Sequence, residues 1–471
     1  MKKMKPNILH IILDQLSADA LSCKGNPYVK TPNLDRFAAQ GVQFDRAYAN
    51  HPLCVPQRAC MLTGLTSFLT EKKDENGEFR EWTDDELRQT SIGWIMRDAG
   101  YETAYAGKWH VVDIGKPPDH GFDWILPESN GYYCGQAEII NPACRTFFEK
   151  ERDKPFFLTA SLIQPHGICF WGRLLDGWRP GATIPWPDGE DPWDANYQGD
   201  GYPFPAPPAD IPLKEFIAKE CPPLPDNFEI PEEEPEMIQK VNRCPDVGFG
   251  SLSETGGRIK GLDEEELWRL YRWTYYRLVE QADQQVGELL DMLTENGLDE
   301  NTVVILTSDH GEQNGCHQLK LKNILYEESV RVPLMIRQTG TIPAGVFDED
   351  HLVDIGLDLL PTVCDYAGIE KPAHCEGRSL RPVAETGAES NWRNHLVLEC
   401  QLGRGVVSKG WKYTRYKKSP EYPEQLFDLN AQPLEAQNQV SNPACSEQLQ
   451  EGRRIFQAWR DRHEHPQLPR H

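Results

Sequence analysis

Strand-like and helix-like stretches alternate along most of this 471-residue chain, and nothing else in it restricts the fold as strongly. Residues 7–13 form a continuous buried-strand run, apolar from Ile8 to Leu13 except at His10, as expected of a strand buried on both faces. A helix pattern follows near residues 33–40 and stops at Gly41. Residues 91–99 read as a helix stopped by Gly100, and residues 102–106 as the next strand. Residues 156–163 are a second buried-strand run. Residues 264–295 read as one long amphipathic helix, with Tyr271, Tyr275, Leu278, Ala282, Val286, Leu289 and Leu293 on one stripe and Asn296-Gly297 at its end. Residues 302–307 and 332–336 are further strands. This order predicts an α/β fold built on a large mixed, mostly parallel sheet sandwiched by helices.

The texture changes twice. Between Cys169 and Gly261 prolines crowd together (Pro203, Pro205, Pro207, Pro208, Pro222, Pro223, Pro225), with Trp171, Trp178, Trp186 and Trp193 upstream. Residues 169–261 read as a long irregular insertion whose aromatic planes suit the walls of a sugar pocket. From residue 381 the strands become short, at 396–399, 406–408, 411–415 and 425–428, before a closing helix at 446–462. The expected organisation is a main domain over 1–380, interrupted by the insertion, and a C-terminal α+β subdomain over 381–471 with an antiparallel sheet and a helix.

The net charge of −24 argues against nucleic acid as a partner, because such binding needs a basic face. An anionic substrate must then be held by local cations. Thirteen scattered cysteines, with no Cys-x-x-Cys, suit a reduced chain rather than a disulfide framework. Lys2, Lys3 and Lys5 precede an apolar run too short for a signal-peptide core, and no later run is long enough to span a membrane. The expectation is a cytoplasmic protein.

One short segment carries unusual chemistry. In Leu53-Cys-Val-Pro-Gln-Arg-Ala-Cys-Met-Leu-Thr-Gly64, Pro56 suits a first helical turn, where its missing N–H is no loss, and Gly64 suits the stop. Cys54 then stands at a helix N-terminus, where backbone N–H groups and the dipole favour an anion.

Four further motifs each follow a predicted strand, and ligands of open α/β sheets bind at the carboxyl ends of strands. Asp14-Gln15 follows the first strand, and its partner is Asp309-His310 in Thr307-Ser-Asp-His-Gly-Glu312. Two carboxylates, an amide oxygen and an imidazole make a shell for one divalent metal. Oxygen-rich shells suit Ca2+, the first expectation, and the imidazole moves the preference toward Mn2+, the second. Gly107-Lys108-Trp109-His110 and Gln164-Pro165-His166 are the next two motifs. The last is His317 with Lys322, followed by Leu325-Tyr-Glu-Glu-Ser-Val-Arg-Val-Pro333.

The segment around Cys54 resembles the Cys-x-Pro-x-Arg signature of type I sulfatases, in the alkaline-phosphatase superfamily, where the cysteine becomes formylglycine. The Gly-Lys-Trp-His, Pro-His and Tyr-Glu-Glu segments resemble the same family. So do Gly410-Trp-Lys-Tyr-Thr-Arg415 and Leu426-Phe-Asp-Leu429 near the C-terminus. The resemblance implies a sulfuric ester hydrolase in which Cys54, Arg58, Lys108, His110, His166 and Lys322 are catalytic. It places the metal at Asp14, Gln15, Asp309 and His310, and His317 near substrate, with Cys316 where the family usually has Asp. It also implies a maturing enzyme as a partner, to convert Cys54 to formylglycine.

In the implied mechanism, one hydroxyl of the hydrated aldehyde attacks sulfur and the other later expels sulfate. The metal lowers the pKa of the attacking group. Arg58, Lys108 and Lys322 neutralise the sulfate oxygens. His166 protonates the leaving alcohol, and His110 takes the proton as sulfate departs. A sulfated carbohydrate is the expected substrate. The nearest rivals are a phosphonate monoester or phosphodiester hydrolase and a choline-sulfatase-like enzyme, which share the Asp-Gln start. A non-catalytic carbohydrate-binding relative is the reading from another class; it would keep the fold and never carry formylglycine.

Overall fold

The computed structural model describes residues 5–71, 81–111, 114–126, 137–171, 183–184, 202–203, 205–239, 261–389, 391–417 and 423–463. One sheet is built from β1 (Asn7–Asp14), β2 (Val42–Phe44), β3 (Glu102–Gly107), β4 (Asp123–Trp124), β5 (Phe156–Pro165), β6 (Thr302–Ser308), β7 (Leu334–Arg337) and β8 (Val346–Asp348). Their spatial order is β8-β2-β7-β6-β1-β5-β3-β4. Only β7 opposes its neighbours; every other pairing in this sheet is parallel.

The principal helices are α1 (Pro32–Ala39), α2 (Cys54–Thr63), α3 (Ile92–Asp98), α4 (Ala137–Glu149), α5 (Glu264–Glu295) and α6 (Ile355–Tyr366). β1 is mostly apolar because both its faces are covered, and even its one central polar residue, His10, is buried. Leu9, Ile11 and Leu13 pack in one core with α1, α4 and α5, while Ile8 and Ile12 pack in another with α2, α3 and α6. α5 has the bounds read from the sequence, fixed at its start by a capping box between Asp263 and Glu266. All seven residues of its apolar stripe are buried.

Two expectations change in detail. The strand expected at 332–336 begins at Leu334, because Pro333 has no N–H to give a ladder. The insertion, expected to be irregular, contains a helix at Leu213–Glu220. Phe216 of that helix meets Trp273 of α5 edge-on, with ring centroids 5.1 Å apart. Trp171 is a packing residue rather than a pocket wall: it is buried, and its indole N–H donates to Thr274 at 3.2 Å. Trp178, Trp186 and Trp193 lie outside the described residues.

A second sheet is antiparallel, in chain order: β9 (His395–Glu399), β10 (Gly403–Ser408), β11 (Trp411–Tyr416) and β12 (Glu424–Asp428). Helix α7 (Ser446–His463) covers one face through Leu449, Ile455 and Phe456. The other face packs on the segment around Leu319, Ile324 and Leu325, so the second sheet backs the loop that carries Lys322. Among the described residues no helix is long and apolar enough to cross a membrane.

Candidate active site

Four parallel neighbours, β6, β1, β5 and β3, end side by side. Their registers set Leu13 against Ser308, Asp14 against Pro165 and Gly107 against Ser161. Polar residues follow at each end: Asp309-His310, Asp14-Gln15, His166 and Lys108. Gly107 is at φ 105°, and a Cβ there would lie 2.0 Å from the Ser161 carbonyl oxygen. Only glycine lets β3 approach β5 this closely and still deliver Lys108. α2 supplies the fifth component. Leu53 is extended at its N-cap, Cys54 is its first residue, and Gly64 closes it at φ 67°. The Cys54 side chain is thereby held inside the cluster, with the residue 3% exposed.

Arg58 is the hub. Its Nε donates to Asp309 and its Nη2 to Asp14, both at 2.9 Å. Its Nη1 donates to the Lys108 carbonyl at 2.9 Å and the Ser161 hydroxyl at 2.8 Å. Lys108 Nζ lies 2.6 Å from Asp14 and 3.9 Å from the Cys54 sulfur. His166 Nδ1 sits 2.8 Å from the other Asp14 oxygen. Lys322 Nζ is 3.3 Å from the same nitrogen and donates to the Gln15 amide oxygen.

Burial opposes charge at every one of these groups, so neighbours decide the outcome. Burial would raise Asp14, but Lys108, His166 and Arg58 hold it well below the usual carboxylate range. Asp309 is raised, by burial and then by Asp14. Burial and Asp14 resist ionisation of the Cys54 thiol, yet Lys108, Lys322 and His310 bring it well below the usual range. Burial disfavours the His166 cation, but Cys169 and Asp14 raise it well above an ordinary histidine. Burial, helped by Lys108, lowers His110 to about 4.

Asp14, Cys54, Asp309 and His310 each turn a ligand atom to within 4.8 Å of the others. His310 Nδ1 lies 3.0 Å from the Gly311 carbonyl, which fixes a proton on that nitrogen and turns Nε2 to the Cys54 sulfur at 3.0 Å. Burial lowers His310, but Asp309 and Cys54 raise it, so this corner attracts positive charge. Two carboxylates and an imidazole nitrogen fit a divalent cation. The Gln15 side chain faces another way. Its oxygen accepts from Lys322 and from the Cys169 thiol at 3.1 Å, and its NH2 donates to Glu312 at 2.5 Å.

His317 is not brought to this cluster. It is buried, its backbone N–H donates to the Asn227 carbonyl at 2.7 Å, and its ring stacks on Tyr326 at 4.0 Å. Three residues without an assigned role in the sequence do join the site. Ser161 carries no signal, being one position inside a buried-strand run. Cys169 opens the insertion. Glu312 stands in the motif of Asp309 and accepts from Gln15, from Tyr271 at 2.8 Å, and from the backbone N–H groups of Asn314 at 3.1 Å and Leu321 at 2.7 Å.

The family pattern described as Sulfatase matches residues 6–369. The chain belongs to the sulfatase family. A second pattern, described as N-sulphoglucosamine sulphohydrolase, C-terminal, matches residues 315–458 of this sulfatase. An N-acetylglucosamine-6-O-sulfatase of Bacteroides thetaiotaomicron is 27% identical, over 92% of this chain and 82% of its own. A multifunctional alkaline phosphatase superfamily protein, PehA of Trinickia caryophylli, is 28% identical, over 98% and 96%. A solved structure described as a complex with its substrate D-glucosamine-2-N,6-O-disulfate aligns with a TM-score of 0.75 at 23% identity, over 98% of this chain and 99% of that one. At that identity the match concerns the fold of the sulfatase, whose α/β sheet and C-terminal antiparallel sheet it shares. The chain is a sulfuric ester hydrolase.

Proposed function

We propose that this sulfatase removes sulfate from a sulfated carbohydrate, using a hydrated formylglycine made from Cys54 by a maturing enzyme. The observation that carries the reading is the position of Cys54: the first residue of α2, facing His310, Asp14 and the ammonium of Lys108. The name of the N-acetylglucosamine-6-O-sulfatase relative and the sulfated glucosamine in the aligned complex support the substrate class. Residues 1–380 carry the chemistry in this reading, and 381–471 brace the loop of Lys322.

A hydrated aldehyde would supply two hydroxyls on one carbon, one to attack sulfur and one to expel sulfate. Asp14, Asp309 and His310 would hold a divalent cation, with Gln15 joining after a turn of its amide; Ca2+ is favoured, then Mn2+. The cation would supply Lewis acidity at the nucleophile. Lys108 and Lys322 bind sulfate oxygens, and Arg58 fixes Asp14 and Asp309 in place. His166, raised and charged, suits the proton donor to the leaving alcohol. His110, lowered and neutral, suits the acceptor when sulfate is released. His317 anchors its loop by packing.

A phosphonate or phosphodiester substrate is the second reading; the name of the PehA relative, a multifunctional alkaline phosphatase superfamily protein, leaves room for substrates besides sulfate esters. Matched aryl sulfate and phenyl phosphonate substrates separate the two. The decisive test is Cys54→Ala, with protein made beside a maturing enzyme. The parent peptide should be about 18 Da lighter than its cysteine form and the enzyme should hydrolyse aryl sulfate. The variant should fold and lose turnover. A fully active Cys54→Ala variant sinks the scheme.

A further inference from the structure

Glu312 has no step in that mechanism, yet its two oxygens are put to separate uses. The residue is fully buried. One oxygen accepts from the Tyr271 hydroxyl at 2.8 Å and from the N–H groups of Asn314 at 3.1 Å and Leu321 at 2.7 Å. Among the described residues, the other accepts from the Gln15 NH2 alone, at 2.5 Å. The first oxygen therefore ties down the loop that leads to Lys322, and the second is kept for one amide.

The backbone that carries this amide is fixed as well. Gln15 is fully buried and sits at φ 74°, a left-handed conformation that a long side chain keeps only where its surroundings enforce it. Its N–H donates to Asp309 at 3.1 Å, and its carbonyl accepts from the Tyr275 hydroxyl at 2.9 Å. Tyr271 and Tyr275 lie one turn apart on α5, so one helix face braces both Glu312 and Gln15. What is left to decide is which way round the amide points. An amide has a donor end and an acceptor end, whereas a carboxylate only accepts. Glu312 takes the NH2, so the oxygen is turned to Lys322 and the Cys169 thiol. Reversed, the amide would set oxygen against the Glu312 oxygen and NH2 against the Lys322 ammonium, two repulsions in place of two bonds.

We propose that Glu312 is a positioning residue that sets the polarity of the Gln15 amide, so that Gln15 offers the cation site and Lys322 an oxygen and never a donor. The proposal rests on the reading of Asp14, Asp309 and His310 as a cation site that Gln15 joins. A turn of the amide toward that site keeps its NH2 at Glu312, because leaving would strand a buried carboxylate oxygen without a donor. Glu312 thereby governs cation affinity through Gln15, as partners of metal ligands do.

The test exchanges the two side chains. Glu312→Gln keeps an oxygen for Tyr271, Asn314 and Leu321 but presents an NH2 to Gln15, which must then reverse and show its own NH2 to the site. In calorimetric titrations of the matured enzyme with Ca2+ and with Mn2+, this variant should bind about tenfold or more weakly. Its thermal midpoint should stay close to the parent's. Adding Gln15→Glu restores an acceptor toward the site at unchanged net charge, and the swapped pair should recover most of the affinity. Gln15→Glu alone sets two carboxylates face to face, so it should help less in the parent than in the Glu312→Gln background. Parental affinity in Glu312→Gln overturns the proposal. So does a swapped pair that is unfolded or no better than Glu312→Gln, and so does a Gln15→Glu effect equal in both backgrounds. If Glu312→Gln alone does not fold, a folded swapped pair of parental affinity carries the proposal. If the parent binds neither cation, the cation reading fails by itself. KM for an aryl sulfate, which senses the Gln15 contact with Lys322, then decides Glu312 by the same comparison.

Discussion

Arg58 spends all three guanidinium nitrogens on the site, bridging Asp14 and Asp309 while also holding the Lys108 carbonyl and Ser161. A lysine offers one compact ammonium and cannot span both carboxylates. Arg58→Lys should lower kcat/KM by about a hundredfold or more and reduce stability by about 3 kcal/mol, the scale of breaking a buried ion pair. Steady-state kinetics and a thermal melt check the two halves; an unchanged kcat/KM would remove Arg58 from the site's core. At this scale, the residues legible in the sequence were those in motifs at strand ends: Asp14, Cys54, Arg58, Lys108, His166, Asp309, His310 and Lys322 converge. Ser161 and Cys169 were not legible. Their roles come from neighbours distant in the chain, and nothing in their own spacing marks them. His317 was drawn in by the family resemblance, but its left-handed backbone turns it to Asn227 and Tyr326 instead.

Gly107 shows how an element delivers a residue. It ends β3 with its Cα pressed on β5, so Gly107→Ala adds a methyl against a backbone carbonyl that cannot swing aside. The strand must move, and Lys108 with it. The expected result is a loss of roughly 2–4 kcal/mol in a denaturant titration, on the scale of strain plus overpacking, with a fall in kcat larger than any rise in KM. A variant of parental stability would show that β3 can slide. Helices and buried strands were legible because their periods are strong: α5 needed only its stripe and its caps. Less legible were β7, whose start Pro333 shifts, and the helix Leu213–Glu220, hidden within a proline-rich stretch. Eight residues between prolines give too short a period to stand out.

Across the whole molecule, the second sheet meets the first part of the chain over buried polar groups. The Glu399 backbone N–H donates to Asn50 at 2.7 Å, and its carboxylate accepts from the Phe68 N–H at 3.3 Å. Burial raises Glu399 to about 7, with Arg404 opposing. A carboxyl raised on folding stabilises through its protonated form. Its contribution is full below the ordinary value of 4.5 and is lost as pH rises to about 7. Glu399→Gln cannot ionise, so its thermal midpoint should gain on the parent's as pH is raised from about 5 to about 8. A difference independent of pH would show that Glu399 stays ionised in the folded state. The α/β class and the antiparallel C-terminal sheet were legible at this scale from element order alone. The packing of that sheet on the Lys322 loop was not, because an apolar face does not announce which segment will cover it.

Cys54 lies deep in the finished protein, and Asp309, which shares its cluster, is made 255 positions later (309 − 54). A ribosome adding roughly 5–20 residues per second takes about 13–50 s to cover that stretch. During that interval the thiol has no sixth strand to vanish behind. In the proposed function, conversion of Cys54 to formylglycine is in a race with translation, and slowing the ribosome between residues 54 and 309 should raise the yield of converted protein without changing any other side chain.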